Sequence, residues 1–327
     1  MRSAAEVHRI PGWFPWLDQQ MFRGILGGQA EPGTLVELGC YLGKSAVVIG
    51  DYIRPGEEFV VVDLFGRLDL VEGDQSTSAE AGIYASRLSL EQFEANYRSV
   101  HEQLPTVVVG PSQDITRHVD PGAARFIHID ASHQYEHVVT DIENALLLIQ
   151  PGGVIVFDDY RSIHTPGVSA AVWGAVERGE IIPVAHTDQK LYCVTTAPEE
   201  LTSLVDTVVE HEDLTGYSQS VAGHALMRIA YSPAHAERRA AQEAAAAREA
   251  ESTATEAVVR ARDEARDEAR AEAAAQREAY AAEWARQHYG AEPGMSPLRL
   301  AARLVARGYL PRAGKRVIAG LRRSGRG

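Results

Sequence analysis

Short apolar runs alternate with segments of helical periodicity along the first two thirds of the chain. Runs rich in Val, Ile, Leu and Phe occur at 34–38, 59–65, 106–110, 125–130 and 153–159. Helical patterns lie around them, at about 43–53, 89–103, 135–149 and 168–178. Fully apolar runs of this length are typical of strands that are buried on both faces. The alternation therefore predicts an α/β fold with a doubly wound, mostly parallel sheet.

The pattern differs on either side of these runs. EIIPVAH (180–186) and KLYCVTT (190–196) predict two closing strands that form an antiparallel edge of the sheet. Residues 1–30 contain the aromatic-rich helix GWFPWLDQQMFRGIL, which we expect to cap the sheet or a pocket. The central domain is therefore assigned to residues 31–197. Residues 198–232 have no clear periodicity and are assigned only as a connecting segment.

The C-terminal third has a different composition. Residues 233–290 are mostly Ala, Glu, Arg and Asp, which predicts one long charged helix of roughly 80 Å. Large apolar residues at coiled-coil positions are missing, so two alternatives stay open: a solvated single helix, or a weak coiled coil packed through alanines. In residues 291–327, nine Arg or Lys residues accompany one acid. This basic amphipathic tail predicts contact with an anionic membrane surface or an acidic partner, with a solubilising tail as the alternative.

Charge and composition restrict the class of protein. The formal net charge is −13, so the part before the tail is strongly acidic and is not expected to bind nucleic acid. The sequence has neither a long apolar run nor the apolar segment of a secretory signal. Cys40 and Cys193 are expected to be two reduced, buried thiols. We therefore predict a soluble, cytoplasmic protein, with a homo-oligomer left open.

A glycine-containing loop follows the first predicted strand, in VELGCYLGKSAVVIG. Gly39 and Gly43 allow a tight turn and a close approach of the backbone to a ligand. The spacing before Gly-Lys-Ser does not match a phosphate-binding P-loop. Asp63 ends the second strand about twenty residues later, where an acid binds ribose hydroxyls in nicotinamide dinucleotide sites. From the residues alone, such a site and a simple strand-to-helix turn both remain open.

Three aspartates follow the next two strands of the predicted sheet. Asp130 ends the run FIHID, and Asp158 and Asp159 end VIVFDD. Carboxylates that converge at adjacent strand ends repel one another unless something neutralises them. A divalent cation that prefers oxygen ligands, Mg²⁺ or Mn²⁺, would do so. The alternative is that they cap a turn and accept hydrogen bonds from backbone amides.

Several of these motifs occur together in the order and spacing of a known family. These motifs are VELGCYLGKSAVVIG, VVVDLF, VVVGPSQD, FIHIDASHQYEHVVTDI and LIQPGGVIVFDDY. With their surroundings they span about residues 12–196. Together they resemble a class I S-adenosylmethionine-dependent methyltransferase with a Rossmann-like sheet. More narrowly, they resemble the branch of macrocin-type sugar and antibiotic O-methyltransferases and cephalosporin hydroxylase-type proteins. The resemblance does not extend to the long helix or the tail.

The resemblance implies a binding role for particular residues. Glu37, Gly39 and Gly43 would lie at the methionine end of S-adenosylmethionine, and Asp63 would bind the ribose hydroxyls. The adenine would lie beside Ser112 and Gln113. The chain departs from the common methyltransferase loop at Tyr41, where another glycine is usual.

The resemblance also implies a reaction: transfer of a methyl group to a hydroxyl of a sugar or secondary metabolite. Asp130, Asp158 and Asp159 would hold Mg²⁺ or Mn²⁺, as in macrocin-type enzymes. His133 is the leading candidate for the base, with Asp130 as the alternative and His164 as a weaker one. Two other functions stay open: a metal-independent methyltransferase of the same fold, and a ligand-binding scaffold or glycan-assembly component.

Overall fold

The computed structural model describes residues 4–71, 88–211, 213–235, 237–238, 241, 260, 262, 264–276, 279 and 299. Residues Met1–Arg238 form one compact unit and Arg239–Gly327 another. The α-helices of the first unit are α1 (Ala4–Arg9), α2 (Trp16–Gly28), α3 (Lys44–Gly50), α4 (Leu90–Arg98), α5 (Tyr135–Leu148), α6 (Pro166–Glu177) and α7 (Pro198–His211). Short 3₁₀ helices occur at Leu68–Val71 and Ser112–Arg117.

One mixed sheet runs through the first unit. Its strands are β1 (Thr34–Leu38), β2 (Phe59–Asp63), β3 (Thr106–Val109), β4 (Ala124–Ile129), β5 (Ile149–Phe157), β6 (Ile182–His186), β7 (Leu191–Val194), β8 (Leu214–Val221) and β9 (His224–Tyr231). Their spatial order is β3-β2-β1-β4-β5-β7-β6-β9-β8. The first five strands in this order are parallel, and β7 is antiparallel to both β5 and β6. The predicted doubly wound sheet is confirmed.

Helices cover both faces of the sheet. Because neighbouring residues of a strand point to opposite faces, β1 places Leu35 in one apolar cluster and Val36 in the other. Helices α2, α3, α4 and α7 contribute to the first cluster, and α5 and α6 contribute to the second. The strands therefore read as continuous apolar runs, as is usual for a sheet that is buried on both faces.

Residues 198–232 require a correction. They were assigned as a connecting segment, but they form α7 and the β8–β9 hairpin, and β9 pairs in parallel with β6. The closing strands β6 and β7 therefore lie inside the sheet and not at its edge. Much of β8 is exposed, which explains why its sequence has no buried apolar run.

The predicted capping segment at the N-terminus contains α1 and α2. Helix α2 buries Met21, Phe22, Ile25 and Leu26 completely, so it belongs to the core of the domain. Both cysteines are buried and free. Among the described residues, no helix is long and apolar enough to span a membrane.

In the second unit, residues 264–276 are helical and exposed. Asp267 and Arg270 form an ion pair on this helix, with 3.8 Å between Oδ1 and Nη1. Most of the remainder of the predicted long helix and nearly all of the basic tail lie outside the described residues. The coiled coil and the membrane contact stay predictions.

Candidate active site

A cavity of about 620 Å³ opens at the carboxyl ends of the parallel strands. The backbone bonds the strand ends together there: the Asp130 N–H donates to the Leu38 carbonyl at 2.7 Å, and the Asp158 N–H donates to the Ile129 carbonyl at 3.0 Å. Ligands of open α/β sheets bind at such a crevice, where the strand order reverses. Here the reversal lies between β1 and β4.

The glycine loop forms one wall of the cavity. Gly39 has φ +78°, and a Cβ on it would collide with the Asp130 carbonyl, so only glycine fits where β1 meets β4. Gly43 has φ +89° and precedes α3, but a Cβ there would meet the ring of Phe93 at 3.0 Å. Gly39 lines the cavity as expected, whereas Gly43 shapes the loop from behind.

Tyr41 occupies the position where the resemblance leads one to expect glycine. Its φ is +47°, a left-handed conformation that glycine adopts at little cost. The tyrosine ring lies 5.5 Å from that of Trp13, centroid to centroid, and both residues line the cavity. Lys44 secures the segment before Trp13, because its Nζ donates to the Gly12 carbonyl at 3.0 Å. The departure from glycine thus adds an aromatic surface to the cavity.

Asp63 lies in the cavity wall at the end of β2. Its Oδ2 accepts hydrogen bonds from the N–H groups of Cys40 and Tyr41, both at 2.9 Å. Its Oδ1 accepts one from the Phe65 N–H at 2.8 Å. Burial raises the pKa of Asp63 despite these bonds. The carboxylate therefore orders the glycine loop, a role that the sequence did not indicate.

Ser112 and Gln113 follow β3 and line the cavity, as the resemblance implied. Behind them, the fully buried Asp141 of α5 has no hydrogen-bond partner for either carboxylate oxygen among the described residues. Burial raises its pKa to about 7, and the nearby Ser112 hydroxyl opposes this only weakly. Asp141 is therefore a carboxyl group that resists ionisation in the folded protein.

Glu37 is not where the resemblance implied. It is fully buried, lies outside the cavity wall, and its Oε1 is 2.8 Å from Nδ1 of His128 on β4. The other imidazole nitrogen, Nε2, is 2.9 Å from Nζ of Lys190. Lys190 in turn pairs with Asp158, with 2.7 Å between Nζ and Oδ2. Glu37 thus begins a buried polar chain beneath the cavity and does not line the cofactor space.

The three predicted aspartates are brought together only in part. Asp130 and Asp158 share a hydrogen bond. Burial and the neighbouring Asp158 raise the pKa of Asp130 well above its usual value. Burial acts in the same direction on Asp158, but the Lys190 ammonium outweighs it and lowers the pKa of Asp158. These opposite shifts place the proton of the shared hydrogen bond on Asp130.

Asp159 lies apart from that pair and beside His133. Its Oδ2 is 3.5 Å from Nε2 of His133, and its Oδ1 accepts a hydrogen bond from the Ser162 hydroxyl at 2.6 Å. The backbone at Asp159 is left-handed, with φ +52°. His133, Asp159 and His164 all line the cavity. A carboxylate in this position stabilises the protonated form of an imidazole.

The expected metal ligands do not fit a divalent cation well. Among the described residues, the potential ligand atoms that lie close together belong to His128, Asp130 and Asp158, without Asp159. Lys190 Nζ already contacts two of these three side chains. An ion at this position would lie against an ammonium group and would compete with it for the same lone pairs.

Sequence reasoning missed Lys190 and His128. Both side chains are fully buried: His128 lies on β4, and Lys190 directly precedes β7. A histidine inside the apolar run RFIHID and a lysine at the start of KLYCVTT were the available signals, because buried strands rarely contain polar side chains without a partner. Which polar side chains meet cannot be read from the sequence, because the two lie 62 residues apart.

Comparison with known proteins assigns the domain. Residues 36–160 match the sequence model of a family described as a methyltransferase domain. The match covers less than half of the chain, and it runs from within β1 to the residues directly after β5. It confirms the prediction that this part of the chain is a methyltransferase and that the protein is an enzyme. No curated protein matches the sequence.

Solved structures resemble part of the chain at low identity. The O-methyltransferase NovP is 19% identical over 55% of this chain and 81% of its own, with a TM-score of 0.43. CalS11, a TDP-rhamnose 3′-O-methyltransferase of calicheamicin biosynthesis, is 17% identical over 54% and 77%, with a TM-score of 0.37. An O-methyltransferase from Bacillus cereus in complex with SAH is 14% identical over 60% and 93%, with a TM-score of 0.38. Such distant likenesses carry no argument about substrate or mechanism.

Proposed function

We propose that the protein transfers the methyl group of S-adenosylmethionine to a hydroxyl group of a sugar or secondary metabolite. The observation that carries the proposal is the composition of the cavity wall. Gly39, Asp63 and Ser112 line the same cavity as the pair formed by His133 and Asp159. A cofactor held by the first set would thus lie in the same cavity as a candidate base.

The reaction is an in-line displacement at the methyl carbon. The acceptor oxygen forms a bond to the methyl group as the bond from carbon to the sulfonium sulfur breaks, and S-adenosylhomocysteine leaves. A hydroxyl is a weak nucleophile at neutral pH, so a base that takes its proton accelerates the step. We assign this role to His133, whose imidazolium form would be stabilised by Asp159 at 3.5 Å.

The cavity rim supports an acceptor with an extended apolar or ring surface. Trp13 lines the cavity and is 68% exposed, and its ring lies near that of Tyr41. Aromatic side chains with one open face supply contact area to a ligand at a low cost in conformational entropy. Polar groups deeper in the cavity, including Ser132 and His133, would then position the hydroxyl.

Isothermal titration with S-adenosylhomocysteine and, separately, with NAD tests the cofactor. We expect saturable binding of S-adenosylhomocysteine and none of NAD. The acceptor class is tested by following S-adenosylhomocysteine release with a panel of nucleotide sugars and glycosides, compared with amines and thiols. Tight NAD binding without S-adenosylhomocysteine binding would reject the proposal, and turnover confined to amines or thiols would reject its acceptor class.

Asp63→Ala should weaken S-adenosylhomocysteine binding by roughly 1.5–3 kcal/mol, because it removes charge-assisted bonds to the ribose. It should also lower the free energy of unfolding by about 2–4 kcal/mol, since three backbone N–H groups lose their acceptor. Titration calorimetry and urea unfolding measure the two effects separately. Asp69→Ala, which removes an exposed carboxylate, is the control. Unchanged affinity in the folded Asp63 variant would remove Asp63 from the binding site.

A further inference from the structure

We infer that Lys190 supplies, as a fixed part of the protein, the positive charge that a divalent cation would otherwise supply beside Asp130 and Asp158. This inference deepens the proposed function and rests on it for its catalytic meaning. It assigns to Lys190 a positioning role, because the side chain does not line the cavity and acts through Asp158.

Two polar groups and two aromatic rings surround the Lys190 ammonium. Nζ lies 2.7 Å from Oδ2 of Asp158 and 2.9 Å from Nε2 of His128. The rings of Phe14 and Phe22 lie on other sides, with centroids 5.5 and 5.9 Å away. A lysine is completely buried only at a high cost unless its charge is paired in this way. The aromatic rings favour the cation and occupy space that water would need.

Both ring nitrogens of His128 have hydrogen-bond partners in this arrangement. An ammonium group can only donate, so Nε2 of His128 accepts from Lys190, and the proton on Nδ1 is donated to Glu37. The lone pair that would bind a metal is therefore already used.

The carboxyl groups of Asp158 and Asp130 also have hydrogen-bond partners. Asp158 accepts from Lys190 and, through Oδ1, from the Asp159 N–H at 2.9 Å. Asp130 is hydrogen-bonded to Asp158 and lines the cavity. Lys190 thus holds Asp158, and Asp158 holds the carboxyl group that faces the cavity.

The test uses the full chain after treatment with EDTA, with MnCl₂ as the probe. We expect no stoichiometric heat of Mn²⁺ binding to the unaltered protein and a Tm shift below about 1 °C at millimolar Mn²⁺. Lys190→Met keeps an unbranched side chain one atom shorter than lysine but removes the charge. It should lower Tm by roughly 10 °C, because it leaves a buried carboxylate unpaired. It should also gain Mn²⁺ binding, and Mn²⁺ should recover part of the lost Tm.

Two further variants control for general damage to the domain. Lys190→Arg keeps a cation and should retain more of the Tm than Lys190→Met, again without Mn²⁺ binding. Lys44→Met removes a cavity lysine whose Nζ donates to a backbone carbonyl, and it should show no response to Mn²⁺. Stoichiometric Mn²⁺ binding by the unaltered protein would overturn the inference, even if Lys190→Met does not fold. A folded Lys190→Met variant that gains no Mn²⁺ binding would overturn it too.

These outcomes are separable from failure of the proposed function. Titration of the same preparations with S-adenosylhomocysteine reports on the cofactor site, which other strand ends form. A protein that binds neither S-adenosylhomocysteine nor Mn²⁺ would lose the proposed function while the assignment of Lys190 stood. A protein that binds both would keep the methyltransferase function and lose the assignment.

Discussion

His133→Ala should lower kcat for methyl transfer to a hydroxyl acceptor by about 10²–10⁴-fold, the usual contribution of a general base. The affinity for S-adenosylhomocysteine should change little, because the glycine loop and Asp63 lie on other strand ends. The measurement is the rate of S-adenosylhomocysteine release under saturating acceptor, paired with titration calorimetry of the same variant.

Two variants make the result specific to the pair of His133 and Asp159. Asp159→Asn should also lower kcat, since the carboxylate 3.5 Å from His133 is lost. His137→Ala removes a second cavity imidazole, which contacts the Ser132 hydroxyl at 3.0 Å, and should cost less than about tenfold. If kcat is retained in the folded His133→Ala variant, another group takes the proton and the assigned base is wrong.

Asp141→Asn should stabilise the protein at pH 8 by up to about 4 kcal/mol relative to the unaltered chain. The pKa of Asp141 rises from 3.8 to about 7 on folding. A group whose pKa is raised in the folded state gives its full stability below the unfolded pKa and loses it as pH rises through the folded pKa. The ionisation of Asp141 therefore lowers the free energy of unfolding by an amount that grows between about pH 4 and pH 7. Asparagine at this position avoids that loss.

Urea unfolding of the variant and the unaltered protein between pH 5 and pH 8 measures this effect. The difference in unfolding free energy should be about 1.7 kcal/mol at pH 5, should rise with pH and should level off above pH 7. Asp120→Asn, at an exposed position, should give a difference that does not change with pH. A constant difference for Asp141→Asn as well would show that this carboxyl group ionises normally in the folded protein.

Much of the fold was predictable because it depends on local pattern. The apolar runs that became β1 to β5 were found within a few residues of their ends, since strands buried on both faces are apolar throughout. The longest error was at β5, which begins at Ile149 and includes Pro151 and Gly152. Proline and glycine are depleted in strands, so this part of the run was excluded. The β8–β9 hairpin was missed for a related reason, as its exposed side chains carry no buried pattern.

Part of the site also followed from position along the chain. Gly39, Asp63, Ser112, Gln113 and Asp130 all line the cavity, because each lies at or within a few residues of the carboxyl end of a parallel strand. Strand ends meet at one edge of a parallel sheet, whatever residues they carry.

The sequence by itself determined the order of elements, the doubly wound sheet and the strand ends that form the cavity, since these depend on periodicity and on residues that terminate strands. Only the tertiary structure decided which partners the charged side chains take. Glu37 pairs with His128 beneath the cavity, Asp159 lies beside His133, and Lys190 pairs with Asp158, which is 32 residues away in the chain. Buried charges pair with whichever group the packing brings within about 3 Å, and one sequence without its packing does not specify that distance.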